Sequence, residues 1–161
     1  MEYHTVIIST EPGKEGRVLG DVLDLLFPYD AEIEGEVRGG GRLVIKTRMD
    51  AWRVAALLKM YPVRGLVNVR LLVGLYRDYR EVKCRAAADL CRLGVAVGKL
   101  KVRVKRGWRQ KYYGEIKNIF SKISDRKNGL EILIEEFDGK IALEVILFRP
   151  HYASFNVQAK I

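Results

Sequence analysis

HTVIIST, residues 4–10, is the stretch from which the fold follows. It is short, rich in β-branched residues and flanked by a turn, Glu11-Pro12-Gly13, so it reads as a strand. Lys14–Phe27 comes next, with Val18, Leu19, Val22 and Leu26 at helical spacing on one face, and Pro28 stops it. Ala31–Val37 (AEIEGEV) alternates imperfectly and carries three glutamates, which suits an edge strand. Gly39-Gly40-Gly41 turns the chain into a strand with Leu43–Ile45 as its core, ending near Thr47. Asp50 is a helix N-cap; Ala51, Val54, Ala55, Leu58 and Tyr61 line one helix face, and Pro62 ends it. Leu66–Leu75 (LVNVRLLVGL) is the last strand of the series.

The order β-α-β-β-α-β is the ferredoxin-like pattern, an α+β arrangement. Beyond it, Glu81–Leu93 reads as a helix with Cys84, Ala87, Ala88, Cys91 and Val95 on one apolar stripe. That placement predicts buried thiols. Lys99–Lys105 (KLKVRVK) alternates cleanly, with Leu100, Val102 and Val104 on one face and Lys99, Lys101, Arg103 and Lys105 on the other. Residues 111–126 predict a second helix with Tyr112, Ile116, Ile119, Phe120 and Ile123 inward. Leu130–Ile134 and Ile141–Leu147 are strands joined through Asp138-Gly139, a hairpin turn signal, and Tyr152–Val157 is a final short strand. The segment Tyr76–Arg80 is the best domain cut, so residues 1–79 form the ferredoxin-like domain and residues 80–161 a second α/β domain.

The 161 residues carry a net charge of +9 with 48% hydrophobic and 30% charged residues, a composition that folds and buries a core. The charge is unevenly placed. Residues 1–79 hold 11 Lys and Arg against 11 Asp and Glu, whereas residues 80–161 hold 18 against 9. A basic half suggests a polyanionic partner, above all nucleic acid; a surface rich in Lys and Arg for thermal stability is the plainer alternative. No run of 18 apolar residues spans a membrane, and the N-terminus has no secretory pattern. Two cysteines make no disulfide framework, which fits a reducing cytoplasm.

Catalytic patterns are missing. His4 and His151 have no metal-ligand spacing, and no Cys-x-x-Cys occurs. Gly13-Lys14-Glu15-Gly16 lacks the earlier Gly and the hydroxyl residue of a P-loop. Glu135, Glu136 and Asp138 read as a solvated hairpin tip. No cofactor fingerprint, metal site or catalytic set is expected.

Binding is better signalled. Residues 99–111 (KLKVRVKRGWRQK) contain seven Lys or Arg and no acid. Strand geometry puts Lys99, Lys101, Arg103 and Lys105 in a row at roughly 6.6 Å steps, close to the spacing of phosphates along an RNA strand. Arg106, Arg109 and Lys111 extend the row into a loop and a helix start, where unpaired N–H groups favour a phosphate. Trp108 lies inside this run and is placed either to stack on an unpaired base or to pack in the core. These eight residues are the candidate RNA-binding set.

Glu81–Phe155 resembles a THUMP domain, most clearly at Leu100–Trp108 (LKVRVKRGW) and the helix after it. HTVIISTEPGKEG, with Leu43–Thr47 before Asp50, resembles the ferredoxin-like unit found ahead of THUMP domains. Together they cover nearly the whole chain and are most similar to stand-alone THUMP adapters of tRNA cytidine acetyltransferases. The resemblance implies a cytoplasmic, non-enzymatic protein that binds the acceptor end of tRNA and presents it to a separate modification enzyme, an acetyltransferase. The alternatives are an RNA-binding subunit of a tRNA thiolation or methylation system, a ribosome-assembly protein, and a small-ligand sensor built on the first half.

Overall fold

The computed structural model describes residues 2–104 and 106–150. Lys105, the side chains of Arg106 and Arg109, His151 and the expected strand Tyr152–Val157 lie outside the described residues. The chain forms two compact units, one comprising the chain through Leu71 and the end of the last strand from Leu147, the other Leu72–Ile146. The expected cut in Tyr76–Arg80 and the division at Leu71/Leu72 differ for a simple reason: the strand Leu66–Tyr76 runs without interruption past that point.

The first unit holds β1 (His4–Thr10), α1 (Glu15–Leu26), β2 (Glu34–Gly39), β3 (Arg42–Thr47), α2 (Ala51–Met60) and the first part of β4 (Leu66–Tyr76). Its strand order is β2-β3-β1-β4 with antiparallel pairing throughout, the ferredoxin-like arrangement that the β-α-β-β-α-β order demands. Central β1 buries Val6, Ile7 and Ile8 completely, while β2 is the exposed edge its glutamates announce. From α1, Val18, Val22 and Leu26 enter the core, joined from α2 by Val54, Ala55 and Leu58. Asp50 caps α2 by accepting the Trp52 amide at 2.9 Å.

The second unit holds the end of β4, then α3 (Tyr79–Arg92), β5 (Val97–Arg103), α4 (Arg106–Ser121), β6 (Leu130–Phe137) and β7 (Lys140–Phe148), with strand order β4-β7-β6-β5. Asp138 and Gly139 both take positive φ, 51° and 74°, and close the β6–β7 hairpin in the primed-turn geometry that an Asp-Gly pair favours. β5 pairs with β6 in parallel, Leu100 beside Ile132 and Val102 beside Ile134, so α4 is the crossover between them. Ile116 and Phe120 of α4 are buried, as their spacing predicts.

Three expectations need correction. The buried stripe of α3 is Val82, Ala86 and Leu90, and Cys84 and Cys91 are exposed free thiols. Burying two larger aliphatic residues outweighs burying the Cys/Ala stripe, and this sets the helix rotation. Glu135 belongs to the body of β6 and is buried, so only Glu136 and Asp138 are solvated. α4 starts at Arg106, so the segment expected to be loop is its first turn.

Candidate nucleic-acid interface

A parallel β5-α4-β6 unit returns each helix start to the end of the sheet where the strands finish, and open α/β sheets bind ligands in the crevice at that end. Here Arg106 opens α4 directly after β5, while β6 runs out at Phe137 beside the Asp138-Gly139 turn, with Lys140 opening β7. α3 begins in the same place, because Tyr79 in its first turn packs on Trp108 and Tyr112 of α4. Between these ends lies a groove of about 830 Å³, lined by Arg77, Asp78, Tyr79, Arg80, Lys83, Val104, Trp108, Tyr112, Glu136, Gly139, Lys140 and Ile141.

Its wall is an aromatic cluster. Tyr79 stacks on Tyr112 with ring centroids 3.9 Å apart and planes 18° apart. Trp108 stands edgewise to both, 5.9 Å from Tyr79 and 5.3 Å from Tyr112. The Tyr79 hydroxyl donates to the Glu115 carboxylate. Burial, reinforced by that hydrogen bond, pushes the Tyr79 phenol up to about 12, so it stays protonated and keeps donating at neutral pH. Trp108 is half-buried and lines the groove. Lys111 lies over the Tyr112 ring, 5.2 Å from its centroid, a cation–π contact.

Its charge is predominantly positive. Arg77 is tied to Glu81, Nε donating to Oε1 at 2.8 Å and the backbone amide to Oε2 at 2.9 Å. These contacts, the amide foremost, hold the Glu81 carboxyl below its ordinary value. Asp78 accepts the Glu81 amide at 3.1 Å as the α3 N-cap, so its carboxylate is committed. Among the described residues, Arg80, Lys83 and Lys140 are exposed and carry no ion pair, against Glu136 as the one lining carboxylate without a partner. The first turn of α4 contains no acid to offset the positive end of the helix.

The structure divides the residues expected to bind RNA. Val102 and Ile134 face the helices, as the small cavity lined by Val82, Ala86 and Ile134 requires; Lys99, Lys101 and Arg103 therefore occupy the opposite face of β5. Lys99 and Arg103 are exposed there, but Lys101 is paired with Glu131 at 3.0 Å, so a neighbouring strand interrupts the row. Trp108 and Lys111 stand instead on the helical side, in α4. Arg106 and Arg109 contribute backbone to the same helical turns, and Lys105 is outside the described residues.

Residues that sequence reasoning left out are Arg77, Tyr79, Arg80, Lys83 and Lys140. The signal was present in Tyr76-Arg77-Asp78-Tyr79-Arg80, where aromatic and basic residues alternate, but the segment reads equally well as a linker.

No protein-family model and no curated protein matches this chain by sequence. Its fold is shared with solved structures. TrmN from Thermus thermophilus superposes with a TM-score of 0.61 at 20% identity over 91% of this chain and 46% of its own. A predicted N6-adenine-specific DNA methylase from Listeria monocytogenes gives 0.61 at 13% identity, covering 91% and 40% respectively. A 4-thiouridine synthetase solved as a complex with RNA and ATP gives 0.54 at 14%, covering 89% and 41%. The chain thus spans less than half the length of these three proteins.

Proposed function

We propose that this chain is a tRNA-binding module of the THUMP type that presents tRNA to a modification activity. The carrying observation is the cationic groove where α3 and α4 begin, in a fold shared with a synthetase solved bound to RNA. Placing the positive excess in residues 80–161 supports the reading, because phosphate neutralisation dominates nucleic-acid affinity. The finer proposal is a cytoplasmic, non-catalytic adapter that holds the acceptor end for a separate cytidine acetyltransferase; the sequence resemblance supports it.

Crosslinking the protein to cellular RNA and sequencing the recovered fragments tests the module. Acceptor-end tRNA fragments are expected, and ribosomal RNA alone would overturn the proposal. Acetylation of purified tRNA by a cytidine acetyltransferase, with and without this chain, tests the adapter. Stimulation is expected only when both proteins are present. An acetylated nucleoside made by this chain alone contradicts the non-catalytic assignment.

A further inference from the structure

α1 and α2 form one layer of the first unit, tied together at both ends. Arg17 at the start of α1 donates from Nη2 to the Arg64 carbonyl beyond α2, at 2.9 Å. Arg53 at the start of α2 lies over the Tyr29 ring beyond α1, 5.1 Å from its centroid. The helices therefore run antiparallel, side by side, and their outer sides form one face. Of the nine exposed large hydrophobic side chains among the described residues, five belong to this layer: Phe27, Tyr29, Trp52, Met60 and Tyr61. Phe27 is 58% and Met60 66% exposed. Scattered apolar residues are ordinary on a surface, but aromatics, Met and Arg gathered on one layer mark an interaction face. At mid-length the face is small, with Gly20 of α1 and Ala56 of α2 both exposed. A Cβ on Gly20 would meet nothing within 4 Å, so the chain's own packing does not call for a residue that weakens a helix interior.

The charges on this face are of both signs and sorted by helix. Asp21 and Asp24 stand on α1, and Arg53 and Lys59 on α2, all exposed. Asp21, Asp24 and Lys59 take part in no ion pair among the described residues. A nucleic acid would meet the two carboxylates, and a partner of one charge would be repelled by one of the helices. A second copy of the same face meets neither penalty. In a two-fold pairing with its axis along the helices, each α1 lies over the α2 of the partner subunit. Counting from the helix ends then sets Asp24 against Arg53 of the partner subunit, and Gly20 against Ala56 of the partner subunit. We propose that the α1–α2 layer is a self-complementary surface on which two copies of this chain pair. The acids of each α1 meet the cations of the opposing α2, and the small residues at mid-length let the helices close up. Helices of 12 and 10 residues are about 18 and 15 Å long and about 10 Å wide. Such a patch falls below the standard interface of about 800 Å² per partner, so pairing belongs to the micromolar range. The proposal is independent of the RNA-binding reading.

The test is sedimentation velocity of the full chain, treated with nuclease so that no RNA bridges two copies. The mass should rise from that of one chain to that of two as concentration passes through the micromolar range. Ala56→Glu puts a charge where the helices meet and should hold the protein monomeric throughout. Asp24→Arg and Arg53→Glu should each weaken pairing about 10-fold or more, because each sets like charges opposite one another twice. An equimolar mixture of these two variants should pair about as well as wild type, because both contacts of the mixed dimer then join opposite charges. All three positions are exposed, so thermal melts should stay close to wild type and show that each variant folds. A wild-type chain that stays monomeric at high micromolar concentration overturns the proposal, even if the face captures a different protein. So does a dimer that Ala56→Glu and both charge variants leave intact, or a mixture of the charge variants that pairs no better than either alone. None of these results bears on tRNA binding, which is measured separately on the same samples.

Discussion

Gly98 and Gly129 mark a close approach of two backbone segments in the second unit. A Cβ on Gly98 would lie 2.4 Å from the Gly129 carbonyl oxygen, and one on Gly129 would lie 2.3 Å from the Gly98 nitrogen. Two backbones pass here without side chains between them, tied by Asp125 N–H to Val97 O and Leu130 N–H to Ala96 O, each at 2.9 Å. Backbone cannot yield as a flexible side chain does, so Gly98→Ala should cost about 1–3 kcal/mol in urea unfolding. Unchanged stability would show that the approach is looser than described. In the first unit, Asp30 accepts from the Thr47 hydroxyl at 2.6 Å and from the Arg48 and Glu32 amides at 2.9 and 3.1 Å. The Thr47 bond first, then the Arg48 amide, holds its carboxyl below the ordinary value. A lowered folded-state pKa contributes stability that is fully present above the unfolded value, about 3.9, and is lost as pH falls through the folded one. Asp30→Asn should therefore melt earlier than wild type at pH 7, with the gap closing below about pH 4; a pH-independent gap in thermal melts would contradict this. Asp50 was legible as a cap because its partner is two residues away, whereas the partners of Asp30 include Thr47 and Arg48, brought to it only by the fold.

At the scale of elements, strands and helices with a clean period were legible and phase was less so. β5 alternates as its sequence says, and the Asp138-Gly139 hairpin forms where its turn residues stand. The rotation of α3 follows apolar area and not stripe length: Cys and Ala carry less of it than Val82 and Leu90, so a longer stripe of small residues loses to a shorter one of larger residues. The start of α4 at Arg106 is hidden in the sequence, where Gly107 and the surrounding basic residues resemble a loop. Only the crossover between parallel β5 and β6 brings that start beside Tyr79, a contact no local pattern encodes. The cap of α3 is a separate handle on the groove. Asp78→Ala removes the acceptor of the Glu81 amide and should cost about 1 kcal/mol, read as an earlier thermal melt. The same variant should weaken tRNA binding if α3 frays, since Tyr79, Arg80 and Lys83 all lie in its first turns. A destabilised variant with full tRNA affinity would detach the α3 start from the site.

For the whole molecule, the decisive property is the unequal distribution of charge, zero net over residues 1–79 and +9 over residues 80–161. The sequence alone points to a polyanionic partner for residues 80–161 and to a basic row on β5, because a row of alternating lysines is visible in one dimension. A groove assembled from α3, α4 and the β6–β7 turn is not. We propose that this basic half engages tRNA through its phosphates. The most direct measurement is the affinity of the full chain for labelled tRNA, followed by fluorescence anisotropy from low to high salt at neutral pH. Log K should fall linearly with log salt concentration, with a slope magnitude of about 2 or more for three or more neutralised phosphates, and should vary little among tRNA sequences. Absence of binding at low salt, or an affinity indifferent to salt, would contradict the account.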